Sequence, residues 1–185
     1  LEGFKAKGVE VLFLSDSVDE YWLQHITEFE GKALKSITRG DVNLDEINGV
    51  DKDEDTKDDV QDASIDQLIT VIKTELGDLV KDVRASKRLT DSPVCLVADD
   101  GDMDVSLERM LKRHGQLQNG TPRVLELNPK HAIVKKLAER VAPEGAVVDE
   151  LLKDAAHLLL DQARIADGEV PTDPIEFGRR LSSVM

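Results

Sequence analysis

Between Gly40 and Asp62 the chain carries ten acidic residues against two lysines, Lys52 and Lys57. No apolar stripe of helical or strand period runs through it. Like charges at this density repel, and a backbone with so little to bury stays solvated, so the stretch cannot belong to a core. It divides the 185 residues into a unit over 1–40, an acidic linker over 41–62 and a larger unit over 63–185. The run DKDEDTKDD inside it lacks the glycine turn and the closing glutamate that a calcium loop requires.

The first unit reads as strand, turn, helix and second strand. Val9, Val11, Leu12, Phe13 and Leu14 form a continuous apolar run, as expected of a strand covered on both faces. Ser15 and Asp16 break it. Val18, Tyr21, Trp22 and His25–Ile26 follow at helical spacing. Phe29 to Lys32 make a turn, after which Ala33 to Ile37 can re-enter a sheet.

The second unit opens with a helix. Ser64 and Gln67 fit a capping box, and Ile65, Leu68, Ile69, Ile72 and Leu76 form one stripe that Gly77 terminates. Val80–Ala85, Pro93–Ala98 and Arg123–Leu127 read as strands. Asn128 as N-cap and Pro129 at the first helical position start a helix that reaches about Val141. From Val147 to Ala166 apolar residues cover well over half of a helix circumference, which demands packing on at least two sides. Asp173, Pro174 and Glu176 fit the N-cap, N1 and N3 of a final helix with apolar positions Ile175, Phe177, Leu181, Val184 and Met185. Gly178 permits a close helix approach. Two readings of these last helices stay open: packing within the chain, or a bundle completed by a second chain.

Composition narrows the function. Aromatics make up 3% of the chain, so its core is built from Leu, Val, Ile and Ala. A formal net charge of −14 argues against a nucleic-acid groove and against anionic membrane surfaces. No run approaches the roughly 18 apolar residues of a membrane span. The single cysteine, Cys95, lies in an apolar run and reads as a buried, inert thiol. No signal peptide is visible, and a start at Leu1 ahead of a strand reads as a piece of a longer protein.

Catalytic constellations are missing. No glycine-rich phosphate loop has the required spacing. His25, His114, His131 and His157 sit on different elements with no metal-ligand partner at i+3 or i+4. Asp99, Asp100, Asp102 and Asp104 precede a helix, where acidic residues favour the dipole, with Asp102 or Asp104 as N-cap. Catalytic, cofactor-binding and metal-ligating residues are therefore expected to be none. The helix over Asp102–Gln116 puts Met103, Leu107, Met110 and Leu111 on one face and Glu108, Arg109, Lys112 and Arg113 on the other. That apolar face either covers the sheet or offers an adaptable surface, for which methionine is suited.

Several segments carry a family resemblance. GVEVLFLSDSVDE (Gly8–Glu20) followed by EFEGK (Glu28–Lys32), LVKDVRASKRLTDSPVCLVADD (Leu79–Asp100), RVLELNPKHAIVKKL (Arg123–Leu137) and LLLDQARIADGEVPTDPIEFGRRL (Leu158–Leu181) occur in the order found in the heat-shock protein 90 chaperones. They look most like the bacterial form. The resemblance implies an α+β chain: the end of a middle domain over 1–40, then a C-terminal dimerization domain over 63–185. That domain should have a short three-stranded sheet and closing helices that form a dimeric four-helix bundle.

The resemblance also assigns residues. The dimer interface is expected at Leu151, Leu152, Ala155, Leu158, Leu159, Gln162, Ile175, Phe177, Gly178, Leu181 and Val184. Client proteins are expected at Met103, Leu107, Met110 and Leu111, with Tyr21, Trp22 and Gln24 where the family's client-contacting residues lie. Trp22 in a core is the competing reading. ATP and magnesium belong to a domain that this sequence does not contain, so no ATPase activity is expected here. The implied partners are a second copy and partly folded clients, with no nucleic acid and no membrane. The implied compartment is the bacterial cytoplasm, since the sequence ends without a co-chaperone-recruiting acidic peptide or an ER-retention tail. The alternative is a purely structural homodimerization module without client contact.

Overall fold

The computed structural model describes residues 2–14, 16, 18–22, 25–40, 63–103, 105–117, 120–141 and 149–185, without the side chains of Glu20, Tyr21, Ser106 and Arg113. The acidic linker expected over 41–62 lies outside the described residues.

The first unit is built of short elements: α1 (Glu2–Ala6), α2 (Asp19–Trp22) and an antiparallel hairpin of β1 (Glu28–Phe29) and β2 (Lys32–Ala33). Glu30 at φ 49° and Gly31 at φ 74° form its turn. Two successive positive φ values match the twist of tightly connected strands. The expected strand over Val9–Leu14 is absent. The segment is in no strand, and Leu12, Phe13 and Leu14 are exposed. An apolar run becomes a buried strand only where neighbours take up its backbone N–H and C=O groups. Among the described residues no strand pairs with it, and only the Val9 N–H is taken up, by the Phe4 carbonyl at 2.9 Å. Of the expected re-entry at Ala33–Ile37 only Ala33 is paired, in β2, and a parallel bridge between Arg39 and Ala98 follows.

The second unit contains α3 (Ala63–Leu76), a 3₁₀ turn (Gly77–Leu79), β3 (Asp82–Ala85), β4 (Val94–Val97), α4 (Val105–Arg113), β5 (Val124–Leu127), α5 (Ala132–Glu139), α6 (Glu150–Ala166) and α7 (Pro174–Val184). The sheet order is β3-β5-β4, with β5 parallel to β3 and antiparallel to β4. Strand β5 is central, and all four of its residues are buried. Leu125 and Leu127 join Val83, Val94 and Leu96 in a core closed by α3, α5 and α6. The α3 stripe is seated as its spacing requires, with Ile65, Leu68, Ile72 and Leu76 buried. Gly77 takes φ 48° where the helix ends.

Two helix starts differ from expectation. Helix α3 is already formed at Ala63, so Ser64 lies inside its first turn rather than capping it. Helix α5 begins at Ala132, capped by His131, whose Nδ1 accepts the Ile133 N–H at 3.2 Å. Asn128 is fully buried and spends its amide elsewhere. Nδ2 donates to the carbonyls of Thr90 (3.2 Å) and Ser92 (3.0 Å), while Oδ1 accepts from the Lys130 N–H. Its Oδ1 closes a turn at Lys130, and the helix itself begins only at Ala132, four residues on.

Candidate interaction surfaces

Helices α6 and α7 pack on each other, and both start as the sequence dictates. Asp149 caps α6 by accepting the Leu151 N–H. Asp173 accepts the Ile175 and Glu176 N–H groups, both at 3.0 Å, with Pro174 in the first turn of α7. Beyond that the two diverge. Of the interface residues expected on α6, Leu152, Ala155 and Leu159 belong to this chain's own core. Leu151 and Leu158 are half-buried and Gln162 is exposed. Helix α7 has no buried residue at all. Ile175 is 84% exposed, Leu181 41% and Val184 39%; Phe177 is half-buried and Gly178 open.

Polar contacts hold α7 in place. Asp154 on α6 accepts from the Ser183 hydroxyl (2.7 Å) and from Arg179 Nη2 (3.1 Å), with Arg180 Nε at 3.5 Å. The Ser183 bond, partly offset by desolvation and aided by Arg179, holds the Asp154 carboxyl below its ordinary range. Of the apolar residues of α7, Phe177 is half-buried while Ile175, Leu181 and Val184 are exposed.

Helix α4 does not present its expected apolar face intact. Met103 is 36% exposed, Leu107 and Leu111 are half-buried, and Met110 is buried at 4%. Glu108, expected on the solvated face, is turned inward and is 2% exposed. Its carboxylate pairs with Lys112 at 2.8 Å and lies 3.7 Å from Arg123. Arg123 also binds Asp167 and Glu169, each at 3.0 Å. These charges tie α4 to the loop between α6 and α7. Burial raises the Asp167 carboxyl above its ordinary value, against the pull of Arg109 and Arg123. An open groove of about 310 Å³ lies beside this network, between α4, Leu160 and Thr172. Glu108, Lys112, Arg123 and Glu169 are among its lining residues, paired as Lys112–Glu108 and Arg123–Glu169.

Trp22 is half-buried, and its Nε1 donates to Asp19 Oδ1 at 2.9 Å within the same turn. Gln24 and the Tyr21 side chain lie outside the described residues. Asp99 and Asp102 are both taken by Lys81, at 2.9 and 2.7 Å. Position 104 lies outside the described residues. Burial, reinforced by the Glu126 carboxylate 3.8 Å away, pushes the Cys95 thiol up to about 12. Cys95 is half-buried beside that carboxylate rather than in a purely apolar setting, and the raised value disfavours the reactive thiolate. Among the described residues no three His, Cys, Asp or Glu side chains are grouped to hold a metal, and no helix is long and apolar enough to cross a membrane.

One cluster escaped sequence reading. Glu126 sits in the middle of β5, 1% exposed, with Arg84 and Arg88 on its carboxylate. The signal was available: a lone charge inside VLEL, on what must be an inner strand, needs a buried partner.

The family model described as "Hsp90 protein" matches residues 1–185. The chain is 69% identical to the "Chaperone protein HtpG" of Roseobacter denitrificans over its full length. It is 48% identical to that of Paramagnetospirillum magneticum and 46% identical to that of Nitrobacter hamburgensis, again over the whole chain. It spans 28–30% of the length of these curated relatives. With the sequence blocks, a mixed α/β architecture and a match over the whole of this chain in agreement, the chain belongs to the Hsp90 protein family and is of the bacterial HtpG type.

Proposed function

We propose that this chain is the dimerizing and client-contacting portion of an ATP-dependent bacterial chaperone that works in the cytoplasm. The observation that carries the reading is the state of α7. It displays Ile175, Leu181 and Val184 on an amphipathic helix with no buried residue, a surface that water leaves poorly satisfied. A second copy related by a two-fold axis covers that surface with its own α7 and the flank of α6 carrying Leu151 and Leu158. The result is a four-helix bundle. Because Leu152, Ala155 and Leu159 are already spent inside the chain, the contacting residues on α6 narrow to Leu151, Leu158 and Gln162. Nucleotide binding and hydrolysis lie in parts of the protein outside this chain, together with ATP and magnesium. Nucleic acid and membrane are not partners, in keeping with the net charge of −14.

Sedimentation tests the dimer. The wild-type chain should be dimeric at micromolar concentration and Leu181→Asp monomeric. A wild type that stays monomeric at high micromolar concentration overturns the reading. Client contact on α4 narrows to Met103, Leu107 and Leu111, since Met110 is buried. That burial favours the second reading, a dimerization module without client contact. The two part on Leu107→Ser/Leu111→Ser. Weaker suppression of client aggregation with dimerization intact supports the client surface, and unchanged suppression supports the module.

A further inference from the structure

The cluster around Glu126 contains more positive than negative charge. Arg88 is 4% exposed and Glu126 1%, and Arg84 is partly buried beside them. The carboxylate takes Arg84 Nη2 at 2.9 Å, Arg88 Nε at 3.0 Å and the Ser86 hydroxyl at 2.9 Å. One carboxylate cannot satisfy two guanidinium groups. The remaining acceptors come from the first unit. Arg88 Nη1 donates to the Ile37 carbonyl at 2.8 Å, and the Gly40 carbonyl accepts from both Arg88 Nη2 and Arg84 Nη2. Without residues 37–40, buried guanidinium N–H groups would lose their partners, which is costly.

The backbone repeats the arrangement. The Ala98 N–H donates to the Thr38 carbonyl (3.0 Å), and the Gly40 N–H donates to the Ala98 carbonyl (2.8 Å), on either side of the Arg39–Ala98 bridge. Gly40 takes φ 69°, and a Cβ there would meet Asp100 Oδ1 at 1.9 Å. The same 86–92 connection is held from a second side. The Glu2 carboxylate accepts the N–H groups of Thr90, Asp91 and Ser92 as well as the Ser92 hydroxyl, and the Gly3 N–H donates to the Arg88 carbonyl.

We propose that Glu126, Arg84 and Arg88 form an intrachain latch that seats residues 37–40 on the edge of the sheet. The 86–92 connection, gripped on one side by this latch and on the other by Glu2, is the joint that holds the first unit to the second. Glu126 is the positioning residue: it orients both arginines toward the Ile37 and Gly40 carbonyls. The latch acts within one chain and goes beyond the dimer and client surfaces, so it stands whether or not those do.

Hydrogen exchange followed residue by residue on the intact chain tests the latch, with Gly40→Ala and Arg88→Lys. A side chain at a positive φ against Asp100 should unseat the segment without entering the charge cluster. Lysine keeps the charge but loses the fork. Exchange at the Ala98 amide should rise about tenfold or more in Gly40→Ala. It should rise also in Arg88→Lys, while Leu125 in the central strand keeps its wild-type rate in Gly40→Ala. Unchanged exchange at Ala98 in both variants overturns the proposal. So does an equal rise at Leu125 in Gly40→Ala, because residues 37–40 would then be part of one cooperative core rather than a latch upon it.

Discussion

Helices α6 and α7 are neighbours, both amphipathic and both capped by an aspartate, yet they are held by different forces. Helix α6 buries seven residues: Leu152, Ala155, Ala156, Leu159, Leu160, Asp161 and Ala163. Helix α7 buries none and is fastened through Asp154 to Ser183, Arg179 and Arg180. Hydrophobic burial therefore fixes α6 as part of the fold. Exposed ion pairs and hydrogen bonds of the kind that hold α7 are weak, with typical values of roughly 0–1 kcal/mol each. An apolar helix anchored only by its polar side is stable in position once its other side is covered. Equivalent amphipathic patterns can thus serve two ends, and the pattern alone does not say which.

The largest expected effect breaks the pair apart on the α6 side. Leu159→Asp places an unpaired charge in the core and should cost roughly 4 kcal/mol or more. For a chain of this length that lowers the midpoint of thermal unfolding by roughly 10 °C or more. Loss of the dimer with unchanged thermal stability of the monomer would place Leu159 at the interface and reverse the assignment. Next comes Leu181→Asp on α7. Its substitution counts twice across a two-fold axis, so the dimer dissociation constant should rise roughly a hundredfold or more. Thermal unfolding at concentrations where both forms are monomeric should change little. Unfolding of the variant monomer would show that α7 is core after all.

A smaller effect is expected at the link between α4 and the α6–α7 loop. Glu108→Gln removes the charge facing Lys112 and Arg123, while Arg123 keeps Asp167 and Glu169. The cost should be about 2 kcal/mol in urea unfolding, and it should fall sharply in the double variant with Lys112→Met. Additive costs in the two variants would mean the pair contributes nothing specific.

The mildest test is a titration. Partial burial pushes the Glu2 carboxyl up, but bonds from the Ser92 hydroxyl and the Ser92, Asp91 and Thr90 N–H groups outweigh it and hold it at about 2 instead of 4.5. A carboxyl whose folded value lies below its unfolded value stabilises above the unfolded value, and this is lost as pH falls through the folded one. The anchoring of α1 should therefore persist at neutral pH and weaken between about 4.5 and 2. Amide chemical shifts of Asp91 and Ser92 should titrate with a midpoint near 2. Ser92→Ala should move that midpoint upward; a midpoint at the ordinary glutamate value in the wild type would remove the anchor.

Much of the second unit could be read from local pattern. The α3 stripe from Ile65 to Leu76, the three strands and the Asp173–Pro174 start of α7 all obey rules that act over a few residues. The family could be read too, because its wording recurs along the chain. The failures share a cause. Val9–Leu14 has the composition of a buried strand but no partner beside it. Asn128 has the sequence of an N-cap, but its Oδ1 closes a turn at Lys130 while its NH2 holds Thr90 and Ser92, and the helix starts after His131. Glu108 has the spacing of a solvated position, but Lys112 and Arg123 draw it inward. Each outcome depends on whether a partner is brought near by the fold.

The sequence by itself determined where helices and strands can form, that the core is aliphatic and to which family the chain belongs. These follow from side-chain periodicity, capping chemistry and composition, which are properties of short segments. Only the tertiary structure decided that β5 lies between β3 and β4, that α6 faces inward while α7 does not, and that Glu126 gathers Arg84 and Arg88 onto the carbonyls of Ile37 and Gly40. Those depend on which surfaces meet, and a buried charge finds its partner through the fold rather than along the chain.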